Sequence, residues 1–130
     1  MRYILSIITI STIILANDLS IIASNSCKFK TIDSSIISKL FMKKTKRYLD
    51  TEVIVLDNKK YYEKFIKSYL HKSPTKLKIY WTRMIFTGTQ KPPKQIEDEQ
   101  LKDISDNNTC YITYTDSTNI NGWKVLNVTQ

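Results

Sequence analysis

Runs of β-branched and apolar residues alternate along the 130-residue chain with segments of helical period, and this alternation predicts an α/β layer structure with crossover connections. Two observations carry that expectation. Strand-like runs stand at Leu19–Ala23, Glu52–Leu56 and Cys110–Thr115, and a pair of amphipathic helices lies between the second and the third. The hydrophobic fraction of 42% and the charged fraction of 25% are those of an ordinary globular domain, so disorder is not expected. The length suits one domain with a modest core.

Met1–Ala16 carries Arg2 and then an apolar run from Tyr3 to Leu15. That run is short for a bilayer span and has the length of a secretory signal's apolar core. Residues 1–16 are therefore read as a signal peptide, with 17–130 as the domain; an uncleaved N-terminal anchor is the other reading. Removing the segment takes away only Arg2, so the net charge of +8 would become +8 − 1 = +7. Leu19–Ala23 is a short β-type run that could also be folded into the signal, and Ser24, Asn25, Ser26 and Cys27 follow it. Asp33 then suits the N-cap of a helix whose Ile36, Ile37, Leu40 and Phe41 share one face. The basic run Lys43–Arg47 fits a solvated helix end, where cations complement the dipole. Lipid phosphate or nucleic acid is the functional alternative for it.

Glu52–Leu56 has the composition of a buried strand. Beyond it Tyr62, Phe65, Ile66, Tyr69 and Leu70 fall at helical spacing, giving one amphipathic helix. Ser73-Pro74 opens a second, because serine caps well and proline has no N–H to leave unpaired in the first turn. Leu77, Tyr80, Trp81, Met84 and Ile85 repeat the period, Gly88 marks the stop, and Pro92-Pro93 prevents continuation. Residues after Pro93 read as a polar helix with Ile96, Leu101 and Ile104 inward. Cys110–Thr115 is a strand, Asn121-Gly122 a turn, and Trp123–Val128 a closing strand.

The block KSPTKLKIYWTRMIFTG followed by KPP resembles the Lys-Ser-Pro, Tyr-Trp, Arg, Phe-Thr-Gly and Pro-Pro block of short proteins related to the phosphate ABC transporter substrate-binding proteins. The similarity runs from about Asp18 to Val128. It implies a type 2 periplasmic-binding-protein fold, here a single lobe with a mixed sheet flanked by helices. ISKLFMKK resembles that family's Leu-Phe-x-Gly-Lys helix end, with Lys43 where glycine is usual. The resemblance also places ligand contacts in the loop after the first strand, at Ser24 and Asn25.

On physical grounds the junction at Asp57–Tyr61 is the best candidate binding site. A helix N-terminus offers free N–H groups, and Lys59 and Lys60 add positive charge beside Asn58. The phosphate-binding relatives carry a Ser-Gly-Thr-type motif at this junction, whereas residues 57–61 contain no Ser, Gly or Thr. Asp57 filling the cap of an ordinary helix is the other reading.

His71 is the single histidine, and no nucleophile-elbow signature is present, so catalysis is not expected. One histidine and two distant cysteines do not make a structural zinc set, and no cofactor is expected. Cys27 and Cys110 in an exported chain favour a disulfide over free thiols, provided their α-carbons come within about 7 Å. The expected role is solute binding in the periplasm or after secretion, with phosphate or another oxyanion as ligand and an envelope protein as the second cleft wall. The alternative is an exported protein-protein interaction module presenting Tyr61, Tyr62, Tyr69, Tyr80 and Trp81. Nucleic acid is disfavoured, and no membrane span is expected once the signal is removed.

Overall fold

The protein is described by a computed structural model, which covers residues 19–104, 108–117 and 120–130. The expected signal peptide, 1–16, lies outside these residues. Among the described residues eight strands and four α-helices follow in the order β1 (Ser20–Ser24), β2 (Thr31–Asp33), α1 (Ser34–Phe41), β3 (Arg47–Tyr48), β4 (Thr51–Asn58), α2 (Tyr62–Phe65), α3 (Pro74–Phe86), β5 (Lys94–Ile96), α4 (Leu101–Ile104), β6 (Cys110–Thr115), β7 (Trp123–Val125) and β8 (Asn127–Thr129). A 3-10 turn, Lys59–Tyr61, precedes α2, a π-helical turn, Ile66–Leu70, continues it, and a second 3-10 turn, Asp98–Gln100, precedes α4.

The main sheet has six strands in the order β3-β4-β6-β1-β7, with β5 also paired to β4. It is mixed: β4 runs parallel to β5 and β6, whereas β1 is antiparallel to both β6 and β7. β2 and β8 form a separate parallel pair. The chain is thus a mixed α/β protein, as the alternating pattern predicts. Strand residues sort by parity onto the two faces. Ile21, Ala23, Val53, Val55, Ile112 and Tyr114 join α1, α2 and α3 in the larger core, while Ile22, Leu56, Ile96, Leu101 and Trp123 form a smaller one. At the centre of the larger core Phe65 stacks on Tyr114 with centroids 3.9 Å apart, and Phe41 leans against both.

α3 forms where its caps place it. Ser73 accepts from the Lys76 amide at 3.2 Å, and Gly88 takes φ +71° beyond the last turn. Leu77 and Trp81 are buried, but Ile85, expected inward, is 54% exposed because its position on the helix circumference falls past the buried stripe. α1 ends without a glycine: Lys43 itself takes φ +56°, and the Lys44 amide reaches back to the Lys39 carbonyl at 2.9 Å. Asp33 stands at the N-cap position of α1 without a cap bond, its carboxylate accepting instead from the Ser35 hydroxyl.

Three expectations change. The segment after Pro93 is not one helix: Lys94–Ile96 pairs in parallel with Leu56–Asn58, so Ile96 is held by strand bonds and α4 begins only at Leu101. The closing strand is two, because buried Leu126 turns the chain from the main sheet to β2. The run Lys43–Arg47 leads into the β3–β4 hairpin, whose turn uses Leu49 and Asp50 at positive φ. Cys27 and Cys110 form a disulfide with α-carbons 4.7 Å apart. Closing 83 residues stabilises the fold by roughly 4.5 kcal/mol in the chain-entropy picture. Among the described residues no helix is long and apolar enough to cross a membrane.

Candidate functional site

β4 carries the chain to the carboxyl edge of the sheet, and its last two residues point to opposite faces. Asn58, on the side of the smaller core, is fully buried and caps the following turn: its Oδ1 accepts from the Lys60 amide at 3.2 Å. Its Nδ2 donates to Asp98 Oδ1 at 2.6 Å, and the Thr115 hydroxyl donates to the same oxygen at 3.2 Å. Capping therefore falls to Asn58, one residue later than the sequence suggests, and Asp57 stays in the strand. Lys59 stands 4.0 Å from the Glu97 carboxylate with both side chains largely exposed, a pair of small energetic weight. The Lys60 ammonium lies over the Tyr61 ring. The Tyr61 hydroxyl donates to Asp116 at 2.6 Å, a bond that holds its pKa above the ordinary tyrosine range. The expected anion seat thus faces the carboxylates of Asp98 and Asp116.

Ser24 and Asn25 lie elsewhere. Ala23 pairs with Ile112 and Ser20 with Thr115, so antiparallel β1 brings Ser20, not Ser24, to the level of Asn58. Four residues of strand, about 13 Å, separate the two groups of expected contacts. Ser24 is buried, its hydroxyl donating to the Thr109 carbonyl at 3.0 Å and accepting from the Tyr111 amide at 2.9 Å. Asn25 is exposed, and its amide donates to the Gly122 carbonyl.

Asp57 occupies a different setting. It is only 7% exposed, lies on the side of the larger core, and accepts from the Tyr114 hydroxyl on Oδ1 at 2.8 Å. Burial raises its pKa from 3.8 to about 6, against the opposing pull of the Tyr114 bond and Lys43. Burial and then Asp57 push Tyr62 up to about 12. Lys43 is lowered by burial and by Lys46, with Asp57 opposing. Asp57 borders a cleft of about 320 Å³ whose walls include Tyr62, Lys78, Trp81, Thr82, Gln95, Pro92 and Pro93. Every buried side-chain nitrogen or oxygen among the described residues has a partner; Asp57 Oδ1 takes the Tyr114 hydroxyl, and Asp57 is one of the residues that line the cleft. This residue was legible only as a parity violation: Val53, Val55 and Asp57 alternate on one face, and the third is charged.

A larger hollow of about 680 Å³ lies over the start of α1 among Ser34, Ser35, Ser38, Ser68 and His71, but no Lys or Arg lines it. Among the described residues no group of His, Cys, Asp or Glu is arranged to hold a metal ion. Tyr61, Tyr62, Tyr69 and Tyr80 are half-buried against the larger core, and Trp81 is buried in it. No protein-family model matches the chain, and no curated protein matches it at a significant level.

Proposed function

We propose that the chain is an exported solute-binding lobe of the type 2 periplasmic-binding-protein kind, and that it holds a small proton-bearing oxyanion such as hydrogen phosphate in the Asp57 cleft. The observation that carries this reading is the buried Asp57 on the wall of a cleft that Lys78 also lines. Two further features support it. The cleft lies at the carboxyl end of the parallel strands β4 and β5, the edge at which open α/β sheets bind ligands. The Cys27–Cys110 bridge suits an oxidising compartment beyond the cytoplasm.

The chemistry favours a ligand that donates a proton. Ionised Asp57 accepts a hydrogen bond from the P–OH group, and Lys78 balances the anionic oxygens. Sulfate, which has no proton to give near neutral pH, would place a bare oxygen against the carboxylate. Sites that hydrogen-bond a ligand hydroxyl reject analogues lacking it strongly, by roughly 10⁴-fold in favourable cases. The opposite wall would come from an envelope partner, since one lobe buries only part of a ligand.

A thermal-shift titration at about pH 7.5 tests the proposal through the mass-action rise in stability. Phosphate raises the melting temperature saturably, whereas sulfate and chloride at equal ionic strength do not. Asp57→Asn, which offers an N–H in place of the acceptor, lets sulfate bind. A flat phosphate response, or an equal response to sulfate in the unmodified chain, would remove the assignment.

A further inference from the structure

α3 is apolar on two sides. Leu77 and Trp81 pack inward, yet Ile79 and Phe86 lie on the opposite side of the helix, 55% and 91% exposed. They border a shallow, almost wholly apolar surface with Thr82 between them and Lys78 and Arg83 beside it. At the end of the helix Ile85 borders a second hollow together with Lys43 and Lys91, which joins the basic run after α1 to this face. The surrounding sequence is of one sign: from Lys64 to Ile96 there are eight Lys or Arg residues and no Asp or Glu.

We propose that the outward face of α3 docks on an anionic lipid surface, with Phe86 entering the headgroup region and the flanking cations meeting lipid phosphates. A second copy of the chain is a poor occupant, because it would bring the same cations together. A fluid anionic bilayer suits the arrangement better than a structured protein: charge spread over an acid-free stretch asks for no fixed counter-pattern, and the apolar patch is small and protruding. Lys78 also lines the Asp57 cleft, so the test of this face uses cations that do not.

Because Tyr3–Leu15 is itself apolar, sedimentation of the full chain with vesicles would not report on α3 alone. Phe86→Trp in the full chain does, since Trp81 and Trp123 are buried and leave the red edge of the emission to position 86. With vesicles of phosphatidylcholine containing about 25% phosphatidylglycerol at low salt, this emission shifts to the blue and is quenched by brominated lipid, and the effect fades as salt is raised. Arg83→Glu with Lys91→Glu in the same background weakens the interaction about tenfold or more, with an unchanged melting temperature as the control for folding. An equal shift with pure phosphatidylcholine, no shift at all, or indifference to the charge reversal overturns the proposal. If soluble polyglutamate produced the same shift as the vesicles, the face would belong to an acidic protein and the lipid assignment would fail.

Discussion

The two faces of the six-stranded sheet end β4 in opposite ways. On the heavily covered face, beneath α1, α2 and α3, the strand finishes at Asp57, a buried carboxylate that is bonded to Tyr114 through one oxygen and lies on the wall of a cleft. On the lightly covered face, beneath α4, it finishes at Asn58, whose amide is consumed by the Lys60 amide and Asp98. Adjacent residues of one strand thus have different duties. Where the cover is thin, a closed polar network completes it; where the cover is thick and apolar, a buried carboxylate lines a cleft.

The largest test of that contrast is Phe65→Ala, which removes the ring stacked on Tyr114 and opens a cavity in the thick layer. A loss of about 3–5 kcal/mol in denaturant unfolding is expected. A loss below about 1 kcal/mol would mean that the thick layer is not what holds the sheet.

Asp57→Asn comes next and has the opposite sign near neutral pH. The folded-state pKa of Asp57 is raised from 3.8 to about 6, so the folded state binds the proton more tightly. The stabilisation from that proton is fully present below about pH 4 and is lost as pH rises through 6, a span worth on the order of 3 kcal/mol. Asparagine keeps an acceptor for Tyr114 and carries no charge. The variant should be more stable than the parent at pH 7 by on the order of 1–3 kcal/mol and should flatten the melting temperature between about pH 4 and 7. An unchanged pH profile would show that the carboxylate is better solvated than its surroundings imply.

The smallest effect is expected on the thin face. Asn58→Ala deletes a cap bond and one donor to Asp98, with Thr115 still donating to the same oxygen, and should cost about 1–2 kcal/mol. Differential scanning calorimetry would check it. Because Asn58 does not titrate, the cost should hold across the window in which the gain from Asp57→Asn appears; a cost that tracked pH would couple the two faces and erase the distinction.

Much of the helical layer could be read from the chain. Ser73, Pro74 and Gly88 bound α3 as expected, because caps and stops act between residues a few positions apart. β6 spans Cys110–Thr115 as its composition indicates. The three-residue β5 had no such local signal: Lys94-Gln95-Ile96 is polar at two of three positions and extends only because β4 lies beside it. Lys43 in the left-handed conformation is a similar case, since a lysine accepts that strain only when the chain must leave α1 for the β3–β4 hairpin. The candidate site divides in the same way. Asn58 and its lysines could be found from the strand-to-helix junction, but the carboxylates opposite them, Asp98 and Asp116, arrive from 40 and 55 residues away from their partners Asn58 and Tyr61.

From sequence alone came the alternation of strands and helices, the extent of α3, and a cysteine pair able to bridge, all of which depend on periodicity, local hydrogen bonds or residue chemistry. Tertiary structure decided the direction of β1, and with it the separation of Ser24 from Asn58. It decided too that Asp57 is buried beside Tyr114 while Ile79 and Phe86 are not covered. Strand direction and burial follow from contacts between segments distant along the chain, and no local pattern of side chains encodes which neighbour a strand will meet.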